Sequence, residues 1–343
     1  MRPSFPCLVA ALLIAGLPAL VRADPVEDFY KGRTIDMTVP GSAGGDYDLR
    51  ARMVARRLGN HIPGKPAIVV RNMPGGIGIQ AGNHLYNAAP RDGATLTIVF
   101  QNMPVLPAIG TPGIQFDARK FEWIGNTTDG PNVINSWHTT GITKIEDVFT
   151  KELIVGASGT GSAAYFYPAA LNALAGTKFR IVGGYPGGNE INLAMEKGEV
   201  GGRGSNSWAS WKSGHPQWLT EKKISILVQI ALKRAADLPD VPLMFELAKN
   251  DEDRQVLTFL SSDMGIARAF ATTPGAPPER VAALRKAFQD MLRDPDFIAD
   301  TTKAQMEISP STGEEAQRIA ASMLDMPPVV IARARALIEG PAK

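Results

Sequence analysis

The stretch TIDMTVPGSAGGDYDLRARMVARRL, residues 34–58, decides the fold. Its first six residues predict a β-strand, and Tyr47 to Leu58 predict a helix. The turn between them, from Pro40 to Asp46, is rich in glycine. Glycine lets the backbone approach a ligand closely, and the start of the following helix presents N–H groups that have no intrahelical partner. Such a junction is an anion site that needs no lysine or arginine.

Three further junctions of the same kind occur along the chain. They are NMPGGIG at 72–78, GASGTGS at 156–162 and GGYPGGN at 183–189. A single turn of this kind is also typical of ordinary tight strand-to-helix connections. Two of the four precede Glu122 and two follow it, which indicates loops that face one another across a cleft. A carboxylate held there would receive hydrogen bonds from both sides.

Strands and helices alternate through most of the chain. The sequence predicts strands at 34–39, 67–71, 95–100, 122–126, 133–136, 153–157, 178–182, 224–230 and 265–271. It predicts helices at 47–58, 79–87, 163–174, 190–197, 278–293, 295–303 and 312–337. This alternation indicates an α/β fold with largely parallel sheets. In such sheets ligands bind at the carboxyl ends of the strands, where these turns lie.

The N-terminus has the three-part layout of a secretory signal peptide. Arg2 supplies a positive region, residues 8–20 an apolar region, and Val21-Arg22-Ala23 a cleavage site. The apolar run is shorter than the roughly 20 residues that cross a bilayer. A buried N-terminal helix is the alternative. We expect residues 1–23 to be removed and the mature protein to be exported to the periplasm.

Composition excludes several partners and chemistries. The only cysteine, Cys7, lies in the predicted signal peptide, so the mature protein would have no disulfide, zinc–thiolate site or thiol nucleophile. The full chain has 36 Lys and Arg residues and 34 Asp and Glu residues. Removal of Arg2 and Arg22 with the signal peptide leaves equal numbers, so the mature protein has no net charge. The sequence has no basic block and no basic amphipathic helix, so we expect binding neither to nucleic acid nor to a membrane surface.

Enzyme motifs match poorly. GIGIQA at 76–81 fits the dinucleotide fingerprint, but the region about 20 residues later, where a strand should end in an acid, reads as a turn at 91–93. Ser158 lacks the final glycine of a nucleophile elbow. The four histidines, His61, His84, His138 and His215, have neither metal-site nor triad spacing. We expect no cofactor, no metal and no catalytic activity.

Several segments occur in an order that is specific when they are taken together. They are the loops at 40–48, 72–78 and 158–162, APRDGATL at 89–96, YPG at 185–187, LPDVP at 238–242 and PGAPP at 274–278. With them the chain resembles the Bug family of periplasmic solute receptors, the substrate-binding component of tripartite tricarboxylate transporters. One departure is Ser205, which stands where the family often has an acid.

The resemblance implies a type II periplasmic binding-protein fold with two lobes. Residues 24–122 and 265–343 would form lobe one, and residues 123–264 would form lobe two. A small organic carboxylate would close the lobes by hinge motion, and the subunits of a membrane permease would recognise the closed form. We expect a monomer. A sensor that docks on a membrane kinase is one alternative function, and an exported enzyme is another.

The loops and the resemblance together suggest the ligand-binding residues. Lobe one would contribute Ser42, Ala43, Gly44, Tyr47, Gln101 and Asn102, and lobe two Ser158, Thr160, Gly161, Ser162, Tyr185, Asn189, Arg203, Ser205 and Asn206. Arg203 could pair with a second carboxylate, or it could be a solvated arginine in a turn. Tyr47 could line the pocket or pack the start of its helix. Trp208, Trp211 and Trp218 are expected to pack within lobe two.

Overall fold

The computed structural model describes residues 24–41, 43–101, 103–108, 110–159 and 162–339. The predicted signal peptide, residues 1–23, lies outside these. The strands are β1 Thr34–Val39, β2 Ala67–Asn72, β3 Thr95–Ile98, β4 Glu122–Asn126, β5 Asn132–Trp137, β6 Leu153–Gly156, β7 Phe179–Val182, β8 Gly202–Ser207, β9 Ile224–Ile230, β10 Ala269–Thr272 and β11 Ser311–Thr312. The helices are α1 Pro25–Tyr30, α2 Asp46–Leu58, α3 Ile79–Asn83, α4 Val105–Ala108, α5 Ile145–Val148, α6 Ala163–Leu174, α7 Gly188–Glu196, α8 Trp208–Gly214, α9 Pro216–Thr220, α10 Asp251–Ser261, α11 Pro278–Leu292, α12 Pro295–Lys303, α13 Gly313–Leu324 and α14 Pro328–Glu339. None of these helices is long and apolar enough to cross a membrane.

The first sheet has six strands in the order β11-β4-β10-β3-β1-β2. β1 runs parallel to β2 and β3, whereas β10 is antiparallel to β3 and β4. Ile35, Met37 and Val39 of β1 are fully buried, in one core with Phe270 of β10 and Phe288 of α11. The alternating apolar residues of β1 therefore fix it as an inner strand of the sheet.

The second sheet has five strands in the order β7-β6-β8-β5-β9. β6 runs parallel to β7 and β8, whereas β5 is antiparallel to β8 and β9. Trp208, Trp211 and Trp218 pack together beside this sheet, as the sequence predicted. The α/β prediction with two lobes is confirmed. Each sheet is mixed because strands outside the βαβ units join it in the antiparallel sense.

The first crossing between the sheets lies later than predicted. β4 spans Glu122–Asn126 and pairs with β10 and β11, so it belongs to the first sheet. β5 begins at Asn132 and belongs to the second. The connection therefore runs between Asn126 and Asn132, about one strand beyond the boundary expected at Glu122.

β8 was not predicted, although it is a central strand of its sheet. Its sequence, GRGSNS, contains none of the β-branched or aromatic residues that favour strands. The two glycines explain its position. A Cβ at Gly202 would overlap the carbonyl oxygen of Asn135, and one at Gly204 would overlap that of Ala164. Close approach of the neighbouring backbones, and not local propensity, makes this segment a strand.

The helix predicted at 312–337 is two helices, and that prediction was wrong. α13 ends at Leu324 and α14 begins at Pro328. Pro327 and Pro328 break the helix because proline lacks an N–H group and disfavours helical backbone in the preceding residue. α14 then packs on α10 and α6, so the end of the chain contacts elements that follow the first crossing.

Candidate ligand-binding site

A cavity of about 290 Å³ lies where loops and helix starts from the two sheets meet. One side is formed by Gln101, by Asp46 at the start of α2, and by Arg268 just before β10. The other side is formed by β8 and by the starts of α6 and α7. The cavity is thus built from the kind of glycine-rich junction that the sequence indicated, at the carboxyl ends of β1 and β6.

Arg203 of β8 reaches this cavity and is fixed by three hydrogen bonds. Its Nε donates to the carbonyl oxygen of Ser205 at 3.0 Å, and its Nη1 donates to Asn192 Oδ1 at 3.2 Å and Gly188 O at 3.4 Å. The guanidinium also lies over the ring of Trp211, 5.7 Å from the centroid. Arg203 is therefore a half-buried strand residue, and the interpretation as a solvated arginine in a turn was wrong.

No carboxylate among the described residues lies within ion-pair distance of Arg203. Burial alone lowers the pKa of its guanidinium to about 10. That pKa still leaves the group charged at neutral pH. A half-buried cation without a counter-ion is costly unless an anion can reach it.

Asn192 and His215 hold the guanidinium in place. A guanidinium only donates hydrogen bonds, so the Oδ1 atom of Asn192 must face Arg203. The Nδ2 atom of Asn192 then faces His215 Nε2, 3.0 Å away. His215 must accept that bond and so carries its proton on Nδ1. Burial against Trp211 and Trp218 lowers the pKa of His215. The negative charge of Glu196 opposes this shift in pKa, and the positive charge of Arg203 adds to it.

Two long helices begin at the second-sheet side of the cavity without a side-chain cap. Ser162 precedes α6 but its hydroxyl does not cap the helix, and Gly187, which precedes α7, has no side chain to do so. Gly188, the first residue of α7, also makes room for Arg203, because a Cβ there would overlap the guanidinium. These helix starts add N–H donors and partial positive charge to the site.

Ser205 adds a further polar group to this side. It lines the cavity and is only 6% exposed. Its hydroxyl oxygen is buried and has no hydrogen-bond partner within the described part of the chain. An unpaired buried hydroxyl is destabilising by about 1–3 kcal/mol, so the site favours a ligand that satisfies it.

On the opposite side, Arg268 is the main residue that the sequence did not predict. Its Nε donates to Asp46 Oδ2 at 2.6 Å and its Nη1 to Ala267 O at 3.0 Å, and its guanidinium lies over the ring of Tyr47. The one available signal was a lone charge in the apolar run MGIARAF, residues 264–270. Nothing in that run connects it to Asp46, 222 residues earlier.

Behind Gln101 lies a buried carboxyl group, that of Asp263. Its Oδ2 accepts from Gln101 Nε2 and its Oδ1 from the hydroxyl of Tyr167, both at 3.3 Å. Burial raises the pKa of Asp263 to about 7, although both hydrogen bonds oppose the shift. Asp263 thereby joins α6 of the second sheet to a residue that follows β3 of the first.

The predicted site residues fall into three groups. Gln101, Ser158, Ser162, Arg203, Ser205 and Asn206 line the cavity. Ala43, Gly44, Tyr47, Tyr185 and Asn189 do not line it. Ser42, Asn102, Thr160 and Gly161 lie outside the described residues.

The second group has other contacts. The N–H of Gly44 donates to Asp48 at 2.8 Å, and the hydroxyl of Tyr47 donates to Ala267 O at 2.7 Å. Tyr185 packs against the tryptophan cluster. Tyr47 therefore supports Arg268 through its ring and does not line the pocket itself.

A larger groove of about 800 Å³ lies elsewhere between the two sheets. Lys212, which lines this groove, pairs with Asp237 at 3.0 Å and Glu307 at 3.3 Å, and two further cations of its lining, Lys233 and Arg318, are exposed to solvent. No group of three or more His, Cys, Asp or Glu residues in the described ranges could hold a metal ion. The smaller cavity is the better candidate because its Arg203 is half-buried and has no acidic partner among the described residues.

Residues 51–335 match the model of the tripartite tricarboxylate transporter family receptor, TctC. The chain belongs to this family. The resemblance found in the sequence is thus confirmed. A UPF0065 protein of Bordetella bronchiseptica is 25% identical to the receptor over 300 residues, which cover 84% of this chain and 79% of that protein.

Solved structures agree on the fold. A TctC solute-binding protein from Polaromonas superposes with a TM-score of 0.69 at 20% identity, covering 90% of the receptor and 99% of that chain. MatC from Rhodopseudomonas palustris, solved with bound malate, superposes with a TM-score of 0.59 at 19% identity, covering 90% and 99%. Identities this low establish the fold of the receptor and leave its ligand open.

Proposed function

We propose that the protein is a periplasmic receptor that binds a small carboxylate in the cavity between its lobes and delivers it to a tripartite tricarboxylate transporter permease. The observation that carries this proposal is Arg203, a half-buried guanidinium with no acidic partner among the described residues. Its planar fork suits a carboxylate. The malate bound to the R. palustris relative supports the same ligand class.

The proposed lobes follow the two sheets. Lobe one comprises the N-terminal part of the mature chain through β4, together with the chain from about residue 265 onward, whose last helix, α14, packs back on α10 and α6 of lobe two. Lobe two lies between them and carries Arg203. Because Asp46 and Arg268 come from lobe one, a ligand that touches both sides of the cavity would hold the lobes together. Such a ligand would bind the closed state more tightly than the open state, and this difference in affinity would shift the equilibrium towards closure.

A receptor role is favoured over catalysis by what the cavity contains. Gln101, Ser158 and Ser205 line it, but no histidine does, so no serine has an imidazole base beside it in the described structure. His215 lies behind Arg203 and is committed to Asn192. These groups can bind and orient an anion by hydrogen bonds and charge.

A thermal-shift screen of residues 24–343 tests the proposal. The protein should first be unfolded and refolded to remove any copurified ligand, and then melted with malate, succinate, adipate, citrate and benzoate. A ligand at about 100 times its Kd adds about 2.7 kcal/mol to the free energy of unfolding, which raises Tm by several degrees. Neutral amides of the same acids are the matched controls. If none of the acids shifts Tm beyond its amide, the carboxylate proposal fails.

Delivery to a permease needs a separate measurement. Solute uptake into vesicles that contain the permease should depend on added receptor and should saturate with it. Uptake that is unchanged without the receptor would contradict the transport role while leaving ligand binding intact.

A further inference from the structure

Two guanidinium groups line the cavity, one from each lobe, and both are held in the same way. Arg203 is fixed through Nε and Nη1 by Ser205 and Asn192. Arg268 is fixed through Nε and Nη1 by Asp46 and Ala267. In each case Nη2 makes no hydrogen bond within the described part of the chain. Each arginine is therefore oriented in advance and retains a donor for a ligand.

The lobe-two side is equipped for one anionic group. The Nη2 atom of Arg203 lies beside Gly188 at the start of α7, so it adds to the N–H groups of an uncapped helix. The buried hydroxyl of Ser205, without a partner of its own, lines the same cavity. A cation, a hydroxyl and a helix start together give direct recognition of an anion, beyond what the backbone alone provides.

The lobe-one side also has an excess of positive charge. Among the described residues, Asp46 is the one acidic residue that lines the cavity, and it is flanked by two arginines. Arg268 Nε lies 2.6 Å from its Oδ2, and Arg50 Nη2 lies 3.9 Å from its Oδ1. Asp263 lies behind Gln101, does not line the cavity, and is partly protonated at neutral pH because of its raised pKa. Two guanidinium groups around one carboxylate leave room for a second anion.

We propose that Arg203 is a specificity-determining residue, which pairs directly with one anionic group of the solute while Arg268 faces a second. The cleft then prefers a solute with two carboxylates over the same solute with one. This inference rests on the proposed carboxylate-receptor function and names the ligand class within it. A ligand with one carboxylate and one ammonium group is disfavoured, because Asp46 is already neutralised by its arginines.

The test compares ligands that differ in a single charge. Isothermal titration calorimetry would measure the Kd of the unbranched dicarboxylates from succinate to adipate and of the monoamide of each. The amide keeps the size and most hydrogen bonds of the acid but loses one charge. A charge-assisted hydrogen bond is stronger than a neutral one. We therefore predict that the best dicarboxylate binds roughly 10-fold more tightly than its own monoamide. This comparison needs no variant.

Arg203→Gln assigns the preference to one residue. It should weaken dicarboxylate binding roughly 10- to 100-fold and leave the monoamide within about 2-fold, so that the preference disappears. Arg203→Lys keeps the charge without the planar fork and should retain part of the preference. Arg180→Gln is the matched control, because Arg180 is an exposed arginine on the same sheet that pairs with Glu152. It should behave as wild type.

The outcomes separate the two proposals. Equal binding of dicarboxylates and monoamides by wild type, or an unchanged preference in Arg203→Gln, would overturn the role of Arg203 and leave the carboxylate receptor standing. Tighter binding of the corresponding amino acid than of the dicarboxylate would overturn it as well. Failure of every carboxylate to bind wild type would instead remove the proposed function.

Discussion

Replacing Asp263 with asparagine should change how the stability of the protein depends on pH. Asp263 is 7% exposed, and its carboxyl group lies between Gln101 and Tyr167. Burial raises its pKa from 3.8 to about 7. Well below pH 3.8 the group is protonated in both the folded and the unfolded protein. As pH rises towards 7 the unfolded protein ionises first, so stability falls over this range.

The size of the effect follows from the shift. Each pKa unit is worth about 1.36 kcal/mol, so a shift of about three units corresponds to roughly 4 kcal/mol lost between about pH 4 and pH 7. Above about pH 7 the group is ionised in both states, so its contribution to the free energy of unfolding no longer changes with pH. Asp263→Asn cannot ionise, so the variant should lack this part of the pH dependence and should be the more stable protein at pH 7.5.

Urea denaturation followed by tryptophan fluorescence, at several pH values from about 4.5 to 7.5, measures the difference. The difference in unfolding free energy between variant and wild type should grow by about 3 kcal/mol across that range, because the unfolded carboxyl group is already mostly ionised at pH 4.5. Asp36→Asn is the control, because Asp36 is a 51% exposed carboxylate in a surface ion pair with Arg71. Parallel pH curves for wild type and Asp263→Asn would refute the reasoning.

Two glycine substitutions separate binding from folding. Gly188→Ala should weaken dicarboxylate binding about 10-fold, because the new Cβ would overlap the guanidinium of Arg203. The loss of stability should be small, since the end of a side chain can move aside. Gly183→Ala, whose new Cβ would have no atom within 4 Å, is the control in the calorimetry. Equal affinities of the two variants would contradict this. Gly204→Ala should lower the free energy of unfolding by about 3 kcal/mol, because its Cβ would overlap the backbone oxygen of Ala164, which cannot move aside. Urea denaturation measures this change. A midpoint equal to that of wild type would contradict the prediction.

Local sequence predicted the parts of the fold in which periodicity and turn chemistry agree. Residues 34–58 combine an alternating strand, a glycine-rich turn and an amphipathic helix, and β1 and α2 lie within one residue of the predicted bounds. Residues 163–174 form α6 as predicted. In each case the segment carries its own signal.

β8 shows why other parts could not be predicted. Its residues are glycine, serine, asparagine and one arginine, which read as a loop. Only the nearby oxygen atoms of Asn135 and Ala164 explain why this strand needs glycine at positions 202 and 204. The break at Pro327-Pro328, in contrast, was visible in the sequence, and the helix predicted across it ignored that signal.

Most of the second-sheet side of the candidate site was predictable, whereas on the first-sheet side the sequence indicated Gln101 and missed Arg268. Glycine-rich turns indicated Ser158 and Ser162, and the family resemblance indicated Ser205 and Asn206. Arg268 belongs to no motif, and its role depends on an ion pair with a residue far away in the chain. Contacts of that kind require the fold.

A crystal structure of the protein with the best dicarboxylate from the screen tests the central claim most directly. We predict the ligand in the cavity beside Arg203, with one carboxylate within hydrogen-bonding distance of its Nη2 and of Ser205 Oγ. The same molecule should also contact Gln101 or Arg268 on the opposite side. A ligand bound in the groove beside Lys212, or one that touches a single lobe, would contradict the account.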